Sequence, residues 1–318
     1  MGRKRFKRRK NTNIMILLLV ITCFAFALIY MKYQENSVTI NASKTTIDSS
    51  KINKGGYKFV DKTNEDLGIG NLILVTNDIF YKFPSDNNLV SVMEKKGEGY
   101  KVRDNNTLLN EEVMKPLNNL LYDFYKEKNV NDVMVLSAYR TLDDQTRIYN
   151  ERVESLGKEE AGKWVATPKG SEHHTGYSFD FTRYTDAGVF LDFENKGVYK
   201  WIDQNAYRYG FIVRYPEEKS SLTGISFEPW HYRYVGKPHA SVMVKEDMVL
   251  EEYIEYIKKF QFGKKHLKIT DFDGINYEIY FVKASEGNTQ VPVPKNDSYQ
   301  ISGNNIDGFI VTVKKKEG

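Results

Sequence analysis

Between Glu111 and Lys128 apolar residues recur at every third or fourth position, at Val113, Leu117, Leu120, Leu121 and Phe124. That spacing predicts an amphipathic helix. Leu72 to Phe83 (LILVTNDIFYKF) is dense in β-branched and aromatic residues and predicts a strand. Val133 to Leu136 is a short buried-strand run that ends at Tyr139-Arg140. Thr141, followed by Leu142-Asp143-Asp144, predicts a helix start with a capping hydroxyl and acids in the first turn. Ile148, Tyr149 and Val153 give that helix an apolar face, and Glu159 to Val165 predicts a short helix before Pro168 and Gly170.

From Tyr177 to Thr182 the pattern changes to strict alternation. Tyr177, Phe179 and Phe181 share one face, and Ser178, Asp180 and Thr182 the other. Tyr199 to Tyr209 predicts a helix ended by Gly210, Phe211 to Tyr215 a strand, Glu217 to Ser221 a charged loop, Tyr232 to Val235 a strand, and Ser241 to Phe260 a helical stretch. Beyond about residue 263, strand-like runs (Tyr277 to Val282, Gly308 to Val313) are separated by Gly, Asn, Pro and Ser. These elements predict an α+β fold: a small antiparallel sheet flanked by helices, with a C-terminal β appendage over 263–318 that the chemistry does not need.

The N-terminus follows a different pattern. Seven of the first ten residues are basic, and Ile14 to Tyr30 is a nearly unbroken apolar run of 17 residues. This reaches the lower limit for spanning a bilayer, and the preceding basic cluster predicts a cytoplasmic start with the remainder outside. A cleaved signal peptide is the alternative. Ala25-Phe26-Ala27 fits a cleavage site, but the apolar run continues past it. A lipoprotein attachment at Cys23 fits poorly, because Thr22 precedes it where a smaller residue is usual. The expected organisation is therefore a basic tail and transmembrane anchor over 1–31, a polar linker over 32–54 and a main domain over 55–262.

Charge and cysteine content narrow the reading. Removing the seven basic residues of the tail takes the formal charge from +4 to −3, so the folded part is close to neutral. That argues against nucleic-acid binding, which needs a basic face on the domain. The only cysteine, Cys23, lies in the apolar run, so the domain can form no disulfide and must rely on its core. The domain is expected to act as a monomer.

Two stretches carry candidate chemistry: Ser171-Glu172-His173-His174-Thr175-Gly176 leading to Asp180, and Glu228-Pro229-Trp230-His231. Among these residues His173 and His231 offer two imidazoles, Asp180 a ligating carboxylate and Glu228 a spare one. A catalytic zinc site needs three protein ligands, one open position for water and a base beside it. His173, Asp180 and His231 are the candidate ligands, and the domain lacks the thiols of a structural zinc site. Gly176 can supply a tight path between His173 and the Asp180 strand. Pro229 disfavours helix at Glu228, so this is no helical H-E-x-x-H motif, and Glu228 is expected on a loop, aimed at the water. His174 is expected not to ligate, and His239 to be a surface or helix-start residue.

The segment SEHHTGYSFDF resembles the S-x-H-x-x-G-x-x-x-D signature of the VanY-type D-alanyl-D-alanine carboxypeptidases, zinc peptidases that trim bacterial cell-wall peptides. YGFIVRYPEEKSSLTGISFEPWHYRYVG resembles their second signature, and SAYRTLDDQ (Ser137 to Gln145) their upstream arginine motif. The resemblance covers roughly residues 65 to 260. It implies that His173, Asp180 and His231 bind one zinc, that Glu228 is the general base, and that Arg140 stabilises developing negative charge. Ser178, His174 and the Pro168-Lys169-Gly170 loop depart from the family pattern without touching a ligand or the base. A carboxypeptidase must also hold a terminal carboxylate, for which Ser171 and Gln145 are candidate hydrogen-bond donors. The implied substrates are peptidoglycan stem peptides. An L,D-carboxypeptidase or endopeptidase could use the same zinc site, and a non-catalytic wall-binding or signalling module is the reading from another class.

Overall fold

A computed structural model describes residues 39–41, 56–85 and 88–316. The expected anchor, Cys23, the cleavage site and most of the expected linker lie outside these residues. Among the described residues no helix is long and apolar enough to cross a membrane.

In chain order the strands are β1 (Thr39–Asn41), β2 (Tyr57–Lys62), β3 (Leu89–Ser91), β4 (Lys101–Val102), β5 (Leu108–Asn110), β6 (Val133–Ser137), β7 (Ser178–Tyr184), β8 (Phe190–Leu191), β9 (Phe211–Val213), β10 (His231–Tyr234), β11 (Leu267–Thr270), β12 (Asn276–Lys283), β13 (Thr289–Pro294), β14 (Ser298–Gly303) and β15 (Gly308–Lys314). The longer helices are α1 (Glu111–Lys128), α2 (Leu142–Leu156), α3 (Lys200–Asn205), α4 (Lys237–Lys245) and α5 (Leu250–Ile257).

The central sheet runs β4-β6-β7-β10-β9, with β8 beside β7. Its pairs are antiparallel except β4–β6. The expected antiparallel sheet therefore carries one parallel pair, made possible by the crossover through α1. Asn110 caps α1 by accepting from the Glu112 amide, Glu111 and Glu112 favour its first turn, and Asn129 ends it in a left-handed turn (φ 53°). The expected apolar stripe of α1 is buried against Val133, Val135, Phe179, Phe181 and Tyr232 of the sheet. Each such side chain contributes about 1.5–3 kcal/mol.

The second layer is a sheet in the order β1-β11-β12-β15-β14. Alternation gives it two apolar faces. Leu267, Ile269, Ile279, Phe281 and Ile310 pack on α4 and α5, whereas Tyr280, Phe309 and Val311 pack on the β2–β13 pair. The C-terminal strands thus share a core with α4 and α5. β1, within the stretch expected to be a linker, adds an edge strand to them through Thr39↔Thr270.

Two expectations are corrected. Leu72 to Phe83 is buried in part but forms no strand. Its backbone bonds to side chains and loops instead: Arg233 Nη2 donates to the Asn71 and Ile73 carbonyls, and Asn305 Nδ2 to those of Leu74 and Phe80. Leu72 and Leu74 enter the core of the second layer while Ile73, Val75 and Tyr81 form a separate cluster, so the hydrophobicity that mimics a strand is divided between two clusters. The helical stretch from Ser241 is two helices, α4 and α5, interrupted near Asp247 with its positive φ of 51°. The polar face of β7, with Ser178, Asp180 and Thr182, is buried like the aromatic one.

Candidate metal centre

Asp180 on β7 and His231 on β10 are directly opposed in the antiparallel register. His173 arrives on a 3-10 turn (Glu172–Thr175) just before β7. Ser171 caps that turn, its Oγ accepting from the His173 amide at 3.4 Å. Gly176 then turns the chain into the strand at φ +71°. A Cβ there would lie 2.6 Å from a Leu89 methyl, so both conformation and space require glycine. On the other side of β7 the register slips between Val135 and Ser137, setting Ser137 opposite Asp180. This bulge lies just before the segment that carries Arg140.

The three candidate ligands are buried, and one ligand atom from each lies within 4.8 Å of the others. Among the described residues this is the one group so arranged. His173 Nε2 is 3.3 Å from Asp180 Oδ2, and His231 Nδ1 is 3.0 Å from Asp180 Oδ1. Ligand atoms of a tetrahedral zinc, bonded at about 2.0–2.1 Å, stand about 3.3 Å apart. Asp180 Oδ1 nevertheless makes no hydrogen bond, although it is buried. A buried carboxylate oxygen within reach of an imidazole but unbonded to it fits a donor set aimed at a shared cation.

Each imidazole presents a different nitrogen. His173 Nδ1 donates to the Ala138 carbonyl at 2.6 Å, leaving Nε2 as its free donor atom. His231 presents Nδ1 to Asp180, with Nε2 turned to Glu172 Oε2 at 3.7 Å. Burial and the Arg140 charge push the His173 pKa down to about 4, against the pull of Asp180. Burial also opposes the charged form of His231, but Asp180 and Glu172 reverse this and raise it to about 9. Burial disfavours ionised Asp180 too, yet the two imidazoles hold its carboxyl well below the usual range.

Glu228 stands on the loop entering β10, its Oε2 3.7 Å from His231 Nδ1. Burial raises its carboxyl to about 7, with the Asp180 charge adding and His231 and Arg140 opposing. A carboxyl poised near neutrality suits proton transfer. Arg140 Nη2 donates to Asp180 Oδ2 at 2.8 Å and to Ser137 Oγ at 2.9 Å. Gln145 Oε1 accepts from Arg140 Nη1 at 3.3 Å while its amide nitrogen donates to the Ala166 carbonyl at 2.8 Å. Ser171 and Gln145 therefore cap and brace other site residues in this structure.

All of these groups line one cleft of about 580 Å³, walled by Ile148, Trp164, Tyr215, Ile225 and Trp230. His174 lies outside the ligand cluster, its Nδ1 donating to the Arg140 carbonyl and its ring against Phe83. His239 does sit in the first turns of α4, but it is buried between Tyr253 and Thr312 rather than on the surface.

Sequence reasoning passed over Glu172, which is fully buried beneath His231 and paired with Arg214 and Arg233 at 2.8 Å each. A signal was present. Arg214 and Arg233 interrupt aromatic and apolar strand runs on both sides of the second motif, and charges so placed need a buried partner.

Among known proteins, the family model described as D-alanyl-D-alanine carboxypeptidase, VanY, matches residues 106–237. A D-alanyl-D-alanine carboxypeptidase of Enterococcus faecium is 37 % identical over 255 residues, covering 79 % of this chain and 77 % of that protein. The crystal structure of the vancomycin resistance D,D-dipeptidase VanXYg, in complex with a D-Ala-D-Ala phosphinate analog, aligns with a TM-score of 0.73 and 34 % identity, over 82 % of this chain and 100 % of that one. The LdcB LD-carboxypeptidase aligns with a TM-score of 0.51 and 31 % identity, over 60 % and 87 %.

Proposed function

Since this chain belongs to the VanY family of D-alanyl-D-alanine carboxypeptidases, we propose that it removes the terminal D-Ala from peptidoglycan stem peptides by zinc-dependent hydrolysis. The observation that carries this reading is the convergence of His173, Asp180 and His231 at a cleft that also holds Glu228 and Arg140. Zinc held by those three side chains would supply a Lewis acid for the peptide carbonyl and acidify water.

The protein's own groups do the rest. Glu228, on the loop entering β10 beside His231, accepts the proton of the attacking water and returns it to the leaving amine. Arg140 is fixed by Ser137, Asp180 and Gln145 and faces the cleft, where its charge favours an oxyanion or the substrate's terminal carboxylate. The apolar wall of Ile148, Trp164 and Trp230 excludes water and suits a small side chain.

The likeness to LdcB keeps an L,D-specific reading as the second choice. Offering the protein a pentapeptide and a tetrapeptide stem and weighing the products separates the two. Loss of one D-Ala from the pentapeptide alone supports D,D-specificity; cleavage of the tetrapeptide alone replaces it with L,D-specificity. A zinc-loaded protein that cuts neither overturns the enzymatic reading.

The proposal includes the setting. The basic cluster and the apolar run from Ile14 to Tyr30 support a membrane tether with the domain outside the cell, acting as a monomer. Protease added to intact cells should digest the domain, and a protected domain would overturn that topology.

A further inference from the structure

Two buried polar atoms beneath the candidate metal centre lack hydrogen-bond partners and face each other: His231 Nε2 and Glu172 Oε2, 3.7 Å apart. That separation is too long for a hydrogen bond. Both are complementary, one a ring nitrogen that can carry a proton and the other a carboxylate oxygen. Buried atoms of this kind are normally paired, so the gap calls for an explanation.

The surroundings pair Glu172 with two cations. Its side chain is inaccessible to solvent, yet Arg214 Nε and Arg233 Nη1 both lie 2.8 Å from its Oε1. Arg214 in turn makes two bonds to Glu251 of α5, at 2.9 and 2.7 Å. Two cations and two anions balance, so the buried carboxylate is paired and not isolated. Both arginines use the same oxygen. Oε2 is left over, aimed at His231.

We propose that Glu172 is a positioning residue for the metal centre: it accepts the Nε2 proton of His231 and so fixes that ring with Nδ1 toward the metal. A neutral imidazole carries one proton. If Nδ1 ligates, the proton must sit on Nε2, and the atom that faces it is the unpaired Glu172 Oε2, which a small shift of the ring brings within bonding distance. His173 achieves the opposite tautomer through the Ala138 carbonyl. One ring thus leans on a neutral backbone oxygen and the other on a full carboxylate, which makes His231 the more strongly polarised donor. The same contact ties the centre through Arg214 to Glu251, on a helix that shares its core with the C-terminal strands.

This inference rests on the zinc reading above, and the test separates the two. The probe is zinc ion alone, with the full chain. In nitrogen-15 spectra of the zinc-loaded wild type, His231 should be the Nε2–H tautomer with a slowly exchanging, downfield proton. An Nδ1–H tautomer, or an Nε2 proton exchanging as freely as in a solvent-exposed histidine, overturns the proposal without any variant being made. In Glu172→Gln, zinc measured by chelator competition should bind roughly 10- to 100-fold more weakly, as for other partners of ligating histidines. KM should change little at saturating zinc. A purely structural Glu172 would lower the melting temperature and leave the zinc constant of the folded protein unchanged, which overturns the proposal. Should Glu172→Gln not fold, the wild-type spectrum decides alone. If wild type itself takes no stoichiometric zinc, or His231→Ala keeps it, the ligand assignment is at fault instead.

Discussion

His231 and His239 are both buried, eight positions apart in sequence, and their surroundings assign them different work. His239 lies where α4 meets the C-terminal sheet. Its two nitrogens exchange hydrogen bonds with neutral hydroxyls, Tyr253 Oη at 2.6 Å and Thr312 Oγ1 at 2.8 Å, and burial pushes its pKa down to about 3. His231 meets three carboxylates, Asp180, Glu172 and Glu228, and is pushed the other way. One ring has all its polar valence satisfied by the protein, while the other presents Nδ1 at 3.0 Å to an Asp180 oxygen that makes no hydrogen bond. A histidine completed by its neighbours is a structural part; a histidine left incomplete among acids is a place for a cation.

The sharpest test of that contrast is at Glu228, an acid beside His231 outside the candidate ligand set. Glu228→Gln should keep fold and zinc and lose roughly 100- to 10,000-fold in turnover, read by steady-state kinetics with metal content measured in parallel. Activity restored by excess zinc would reassign Glu228 to orienting His231. Exchanging the two histidines comes next. His231→Ala should abolish stoichiometric zinc, whereas His239→Ala should retain one zinc per chain. A His239→Ala protein without zinc would erase the distinction drawn here.

His239→Ala should instead weaken the fold by about 2–4 kcal/mol, because it leaves a cavity and two unpaired hydroxyls. Chemical denaturation measures this. The last effect concerns pH. The folded pKa of His239 is depressed to about 3 from a usual value near 6.5. The unfolded chain therefore takes up the proton first, and stability should be full above about 6.5 and fall between there and about 3, by at most about 1.4 kcal/mol per pH unit from this group. In His239→Ala that part of the slope should vanish; an unchanged slope would locate the acid sensitivity elsewhere.

Much of this was legible in the sequence, where local chemistry decides. The stripe and caps of α1, the Thr141 cap of α2 (its Oγ1 accepting from the Asp144 amide) and the alternation of β7 are short-range patterns, and the structure repeats them. The candidate ligands were legible because two motifs each state residue type and spacing. What stayed hidden depends on distant partners. Glu172 reads as an ordinary loop acid until Arg214 and Arg233 fold over it. His239 reads as a helix-start residue until Thr312 arrives from a strand 73 positions away. The C-terminal strands read as an appendage because their composition shifts, but composition does not reveal that Leu267 and Ile279 complete the core beneath Leu250 and Ile254.

The irregular segment after Gly70 has a consequence for how the chain acquires its shape. Its carbonyls are held by Arg233 and Asn305, across 160, 162, 225 and 231 positions of sequence. Neither clasp can close until β10 and the β14–β15 turn are in place, and closing such long loops comes late and slowly. Leu72 and its neighbours, though early in the chain, should therefore be among the last to gain protection when refolding is followed by pulsed hydrogen exchange. Until then their apolar run is open to solvent and to other chains, so the vulnerable moment of this protein lies near its beginning in sequence and near its end in time.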